Sequence, residues 1–348
     1  GVVTMNQIPV LSAGLNVSGG TIAGTIATAT QNSITTATGL TTVGAAGTLS
    51  TVAGIEMLFT ATDNIGIGTD ALNSITSGDK NVAIGVGALT AATSCPDSVA
   101  IGHNALMTAA TVGNNTAVGH NALKLCAENH NTAVGSNALA AATTAEQNTA
   151  LGREAAAATT TGSYNTAIGA FSLDANTTGA SNTALGQGSL GANTTASNNV
   201  AVGKNAMLVN TTGAENVALG FAALDANTTG SQNVALGRSA LTANTTASDN
   251  IAVGYGAMDA NTTGTRNIAI GTAAYDSSDT ENDNIAIGFN AMTTNNAGGN
   301  QNVVVGNYAG DAITSGDGNT AFGHLAGTVL NTGTGNTCIG YGSGSALT

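Results

Sequence analysis

Apolar and polar positions along the chain fit neither a helical period nor a plain alternating one, but they recur in blocks of 17 residues. A five-residue core, Asn-[Thr/Val/Ile]-Ala-[Ile/Leu/Val]-Gly, begins at Asn64, Asn81, Ser98, Asn115, Asn131, Asn148, Asn165, Asn182, Asn199, Asn216, Asn233, Asn250, Asn267, Asn284, Asn302, Asn319 and Asn336. Every interval is 17 residues except one of 16, ending at Asn131, and one of 18, ending at Asn302. A fixed period of this kind marks a repeat architecture and takes precedence over any segment-by-segment reading.

With the first core residue as position 1, the repeat reads N-x-A-ϕ-G-x-x-A-ϕ-x-x-N-T-T-G-x-x. Position 2 is always Val, Ile or Thr, position 3 is Ala except at Gly66, Val304 and Cys338, and position 4 is always bulky and apolar. Alternating β-branched and small residues predict a short strand rather than a helix. Position 5 is Gly in every copy, from Gly68 to Gly340, which predicts a positive φ or a close backbone approach. A second short apolar element at positions 8 and 9, as in Ala138-Leu139 and Ala240-Leu241, predicts a second strand. Turns such as Asn176-Thr177-Thr178-Gly179 and Asn227-Thr228-Thr229-Gly230 then close the repeat, since Asn and Gly tolerate left-handed geometry.

Seventeen residues are too few for a repeat of two helices of about 34 residues, but suit one coil of a narrow solenoid. The expectation is an all-β parallel β-roll or β-solenoid whose seventeen copies stack about 4.8 Å apart into a rod on the order of 80 Å. Stacking would turn position 1 into a ladder of Asn side chains bonded along the axis. Three regions follow: residues 1–63, a Thr/Gly-rich β lead-in or joint that includes the run 31–44; residues 64–301, the regular β-roll; and residues 302–348, atypical terminal repeats. In the last region position 9 becomes Gly (Gly310, Gly327, Gly344) and aromatics enter at Tyr308, Phe322 and Tyr341, as expected of a tip or cap.

Strand alternation places positions 2 and 4 on one face and positions 3 and 5 on the other. Whichever face points outward is apolar along the whole rod, and contiguous apolar surface on that scale is normally covered by another chain. A homo-oligomer is expected, with three chains preferred as the count. The NTAVG at Asn131, NTAIG at Asn165, NVALG at Asn216 and SVAIG at Ser98 resemble the head repeats of YadA-type trimeric autotransporter adhesins. That resemblance implies a left-handed parallel β-roll that trimerises. It spans roughly residues 64–344 and departs in period, the adhesin head repeat commonly having 14 residues against 17 here. A neck, a coiled-coil stalk and membrane-anchor strands are not recognisable. The longer, NTTG-spaced repeat resembles bacteriophage tail-fibre repeat proteins.

Composition narrows the function. The chain has no Trp, 3% aromatic and 7% charged residues, so any buried layer must be thin; 42% apolar content with two prolines argues against disorder. A net charge of −13 with six Lys and Arg removes the basic footprint that nucleic acid requires. No stretch approaches the roughly 18 apolar residues of a membrane span, and the start at Gly1 shows neither an initiator Met nor a leader pattern. A soluble fragment or processed piece, without membrane insertion, is the expectation.

The search for chemistry is mostly negative. His103, His120 and His324 share position 6 with Arg153, Lys204, Phe221, Arg238, Tyr255 and Phe289, which marks it as a variable outward position. His103 and His120 would stack on adjacent coils, but exposed imidazoles are favoured over a metal cluster. The acidic run Asp276, Asp279, Glu281 and Asp283 lacks calcium-loop spacing. Cys95, Cys126 and Cys338 make no disulfide framework, and the N-T-T sequons read as turn chemistry. No catalytic, cofactor-binding or metal residue is assigned, no cofactor is expected, and the chain reads as a non-enzyme. The expectation is an extracellular structural and adhesive fibre, a virion tail-fibre shaft or receptor-binding segment. Its partners would be copies of itself and a host cell-surface glycan or protein receptor. A bacterial cell-surface adhesin head is the alternative. An ice-binding β-solenoid is the third reading, because Thr pairs recur on six consecutive coils from Thr177 to Thr263.

Overall fold

The structure is a computed structural model that describes residues 49–52, 55–58, 63–295 and 298–345. The predicted run 31–44, and most of the lead-in, lie outside the described residues. All described strands belong to one 19-stranded sheet, and no helix occurs among the described residues. Strands β1 (Leu49–Val52) and β2 (Ile55–Leu58) form an antiparallel hairpin. From β3 (Ile65–Ile67) to β19 (Thr337–Ile339), seventeen three-residue strands pair in parallel and in sequence order, one per repeat. The repeats form a parallel β-solenoid. The hairpin pairs antiparallel with β3, Met57 opposite Ile67 and Leu58 opposite Gly66, so the first edge of the stack is not left open to other strands.

Register is exact repeat on repeat. Val217, Ala218 and Leu219 lie opposite Val234, Ala235 and Leu236, and the pattern continues across the 18-residue interval, where Ile285 meets Val303. The irregular intervals are absorbed in the closing turn. Asn Nδ2 at position 1 donates to a turn carbonyl 14 residues on in Asn216, 13 on in Asn115 and 15 on in Asn284. A residue lost or gained there leaves the strands in step.

The predicted second strand at positions 8 and 9 is not formed. Those residues lie in turns, and position 9 is left-handed, with φ of 49° at Leu139 and 52° at Leu241. Each coil therefore has one strand, and fifteen of the seventeen have four described residues at positive φ, for example Gly220 (145°), Ala222 (52°), Leu224 (55°) and Gln232 (60°). A non-glycine residue pays about 1–2 kcal/mol for this conformation. What it gains is direction: the Leu224 amide donates to Ala240 O at 2.9 Å, Ala222 to Lys204 O at 3.1 Å and Gln232 to Ala214 O at 3.0 Å, all in adjacent coils. Left-handed corners let backbone donors outside the strand point along the axis, a possibility that an apolar pair in sequence does not reveal.

Position 5 is a different case. Its φ of 126–145° from Gly68 to Gly323 is open essentially to glycine alone. A Cβ on Gly220 would also stand 2.4 Å from Gly237 O in the next coil. Both reasons anticipated for the invariant glycine hold at once.

The interior is narrow. Position 3 is buried in every strand from β3 to β19, and the remaining apolar core comes from positions 8 and 9, such as Ala223 and Leu224, joined in several coils by position 12 or 15, as at Ala92, Cys126, Ala145, Ile313 and Leu330. The Asn ladder at position 1 is formed: Asn216 N donates to Asn199 Oδ1 at 2.9 Å and Asn233 N to Asn216 Oδ1 at 2.9 Å. Ser98 keeps it running, its amide donating to Asn81 Oδ1 at 3.0 Å and its hydroxyl oxygen accepting from Asn115 N at 3.3 Å.

Candidate interaction surfaces

The inward strand residue being Ala or its equivalent, positions 2 and 4 face out. Leu151, Leu185, Leu219, Leu236 and Ile270 at position 4, and Ile65, Val200, Val217 and Ile251 at position 2, are exposed. Exposure rises at the last coils, to 56% for Phe322 and 70% for Ile339. Of the two outward options left open by alternation, the structure has the Val/Ile/Leu stripe outside and the Ala stripe inside. Volume explains the choice: with the position-9 side chains filling the interior from the corner, position 3 is left room for a small side chain in most coils, and Ile or Leu there would overpack it.

A second polar ladder occupies position 12, where the sequons had suggested only turn chemistry. Asn193 Nδ2 donates to Asn176 Oδ1 at 3.0 Å, Asn210 to Asn193 at 3.1 Å, Asn227 to Asn210 at 2.8 Å and Asn244 to Asn227 at 2.9 Å. Each of these amides also bonds the position-15 carbonyl of its own coil, as Asn227 does to Gly230 O at 2.9 Å. These asparagines are buried with their amides engaged, so in the folded coil they are closed to glycosylation. The signal was a single residue type in one column of the repeat. The ladder stops at Asn261, whose Oδ1 has no partner, because the next coil has Ser278, bonded instead to Glu281 at 3.2 Å.

The terminal coils exchange the contents of positions 9 and 12. Where the middle coils have Leu or Met at 9 and Asn at 12, the last have Gly310 with buried Ile313, and Gly327 with buried Leu330. A Cβ at Gly310 would lie 3.0 Å from Ile313 Cδ1, and one at Gly327 3.1 Å from Leu330 Cδ1. The glycines noticed in sequence thus make room for apolar side chains arriving from the opposite corner.

The Thr column at position 13 is used internally: Thr177 Oγ1 donates to Thr194 O at 3.0 Å and Thr228 Oγ1 to Thr245 O at 3.0 Å. Position 14, as in Thr178, is exposed.

Position 6 is outward, as expected, and is exposed at every coil that carries a charged or aromatic residue there. His103 and His120 stack with ring centroids 5.3 Å apart and planes at 7°. Arg153 lies 4.2 Å over the Phe171 ring, beside an open hollow of about 360 Å³ lined by Phe171, Asp174 and Gly191. Burial pushes the Asp174 carboxyl above its usual range. Toward the C-terminal end, Phe289, Tyr308, His324 and Tyr341 form a chain of ring contacts at 5.3, 6.1 and 5.5 Å.

The acidic run does not converge. Glu281 is buried and caps its own turn, accepting from Asp279 N at 2.9 Å, Thr280 N at 3.0 Å and Gly298 N at 3.0 Å. Asp283 instead pairs with Arg266, Nε to Oδ1 at 2.6 Å and Nη2 to Oδ2 at 2.9 Å. Among the described residues no three His, Cys, Asp or Glu side chains are placed to hold a metal ion. Cys95, Cys126 and Cys338 are free and buried; burial raises the thiols of Cys95 and Cys126, and Cys338 fills the inward position 3. Compared with family models, with curated proteins and with solved structures, the chain has no match.

Proposed function

We propose that the chain is a shaft or receptor-contacting segment of an extracellular fibre, self-assembled as a homotrimer of left-handed β-rolls, and that it serves a phage tail fibre in host attachment. One observation carries this reading: an apolar stripe, unbroken at position 4 and joined by Val or Ile at position 2 of ten coils, lies outside a coil held together by its own ladders and extends over the length of the stack. An element already complete within itself has no folding reason to display such a stripe, and a second and third copy carry the same stripe in the same register. A rod of this kind presents many equivalent sites, so weak contacts sum to firm attachment. The five-residue core supports the trimeric count through its likeness to adhesin heads, which also keeps a bacterial surface adhesin as the second reading.

Light scattering on the purified chain tests the assembly. Three times the mass of one chain is expected, and a clean monomer at working concentration sinks the proposal. Labelling of virions with antibody against the chain, viewed by electron microscopy, separates phage fibre from bacterial adhesin. For ice binding, position 13 hydroxyls already committed to neighbouring carbonyls argue against a free Thr lattice; absence of thermal hysteresis ends that reading.

A further inference from the structure

The chain's few cations are not scattered. Position 6 carries Arg153, Lys204 and Arg238, three of its six Lys and Arg, with His103, His120 and His324, three of its four His. It is never acidic in any of the seventeen copies, although the chain holds 19 Asp and Glu. One lane of an acidic rod is thus kept neutral or positive from end to end. Within it, Lys204, Phe221, Arg238 and Tyr255 follow on four consecutive coils, cation alternating with ring. All four are exposed. The Arg238 guanidinium lies 5.7 Å from the Phe221 centroid and 5.7 Å from that of Tyr255, which fixes the alternation in space.

We propose that this lane binds an acidic polysaccharide laid along the rod axis, one that carries a carboxylate on every second sugar. A pyranose has an apolar face that packs on an aromatic ring and a rim of hydroxyls that remain in water. A guanidinium or ammonium between such rings pairs with a carboxylate. Coils rise about 4.8 Å and like residues in the lane recur every two coils, about 10 Å, the scale of a disaccharide unit. An extended acidic peptide is out of step, since its same-face side chains repeat at about 6.6 Å. Nucleic acid is disfavoured by the net charge of −13 and by one cation for every two coils, far sparser than a phosphate backbone. The biological setting rests on the attachment reading; the binding itself is a property of the lane.

The test uses the full chain as purified and, as probe, a fluorescent hyaluronan decasaccharide of alternating N-acetylglucosamine and glucuronate, followed by polarisation. Binding is expected, with loss at high salt. It should weaken about tenfold or more in Lys204→Gln/Arg238→Gln, where two charge-assisted contacts are gone. Phe221→Leu/Tyr255→Leu, which keeps both charges, should weaken it as well. All four side chains are exposed, and unchanged circular dichroism certifies that each variant is folded. No binding by the unmodified chain, unchanged affinity in the charge variant, or equal binding of an oligothymidylate of the same charge would overturn the proposal. Light scattering on the same samples separates the failures: a non-binding trimer removes this inference and leaves the fibre reading intact, whereas a monomer strikes the fibre reading.

Discussion

Positions 1 and 4 stand three residues apart in the same coil, yet their placement inverts the usual rule. The first is Asn or Ser and is buried in every coil but the last; the second is Ile, Leu, Val or Phe and faces out. In a globular domain the apolar residue would be inside. The difference lies in what a coil this thin must satisfy. On the strand side its interior is filled by Ala at position 3 in most coils, and the larger buried side chains, such as Leu224, Met258 and Tyr275, come from the corner at position 9. Its backbone groups, by contrast, need partners above and below. The Asn amide donates and accepts as a peptide does, so it extends the backbone ladder through the turn. The inner lane joins coil to coil, and the outer lane, on the proposal above, joins chain to chain.

The largest expected effect separates the demands of the inner backbone from mere tolerance of positive φ. Gly220→Ala adds a methyl at φ 145°, 2.4 Å from Gly237 O, and should cost on the order of 5 kcal/mol from strain and overpacking together. Gly256→Asn, at φ 61° with its nearest outside neighbour Asp259 Oδ2 at 3.8 Å, should change stability by less than about 0.5 kcal/mol. Denaturant unfolding measures both, and equal effects would contradict the account of position 5. Next comes Asn216→Ala. It strips the partner from the buried Asn233 N, at about 1–3 kcal/mol, while Gly230 O keeps its bond from Asn227 Nδ2.

On the outside the same measurements should read differently. Val217→Lys with Leu219→Lys alters two exposed side chains of one strand, so the coil should keep its circular dichroism. Each covered apolar side chain is worth about 1.5–3 kcal/mol, and charges placed within a shared interface should lower the assembled mass seen by light scattering. If the stripe variant unfolded the coil while Asn216→Ala released only the assembly, the division between inner and outer lanes would be reversed.

Much of this was legible in the sequence. The period, the parallel stack, the Asn ladder at position 1 and the need for Gly at position 5 all follow from residues recurring in columns. What was hidden depends on dihedral angles and on volume. Leu224 looks like a strand residue, and only its left-handed φ turns it into a corner. The inward choice between Ala218 and Val217 or Leu219 was symmetric in the pattern and is settled by the volume left beside Leu224 and its equivalents at position 9. The position-12 ladder was visible as repeated Asn, but N-T-T-G also satisfies turn chemistry, and the two readings differ only in where the amide points. The lane at position 6 was seen as variable; its order appears when cations and rings are followed from coil to coil.

The smallest expected effect concerns charge in the partly exposed rim between these lanes. Asp259 and Asp276 occupy position 10 of adjacent coils, and both carboxyls are pushed above their usual range, chiefly by burial; Asp276 is also raised by the charge of Asp259. The native chain therefore holds these protons more tightly than the unfolded chain. Their contribution to stability is full below the unfolded value of about 3.9 and is lost as pH rises through the higher native values. At neutral pH the two ionised carboxylates cost stability, and Asp259→Asn/Asp276→Asn, which mimics the protonated pair, should melt slightly above the parent. The difference should vanish near pH 3. Asp283 works in the opposite sense: its bond to Arg266 lowers the carboxyl, so its contribution is present above the unfolded value and is lost as pH falls through the lowered one. Because that pair is exposed and screened by salt, melting curves at two salt concentrations between pH 7 and pH 3 should leave the position-10 effect as the part that persists. A double variant that melted below the parent at pH 7 would show that the rim carboxylates are held by partners rather than strained by burial.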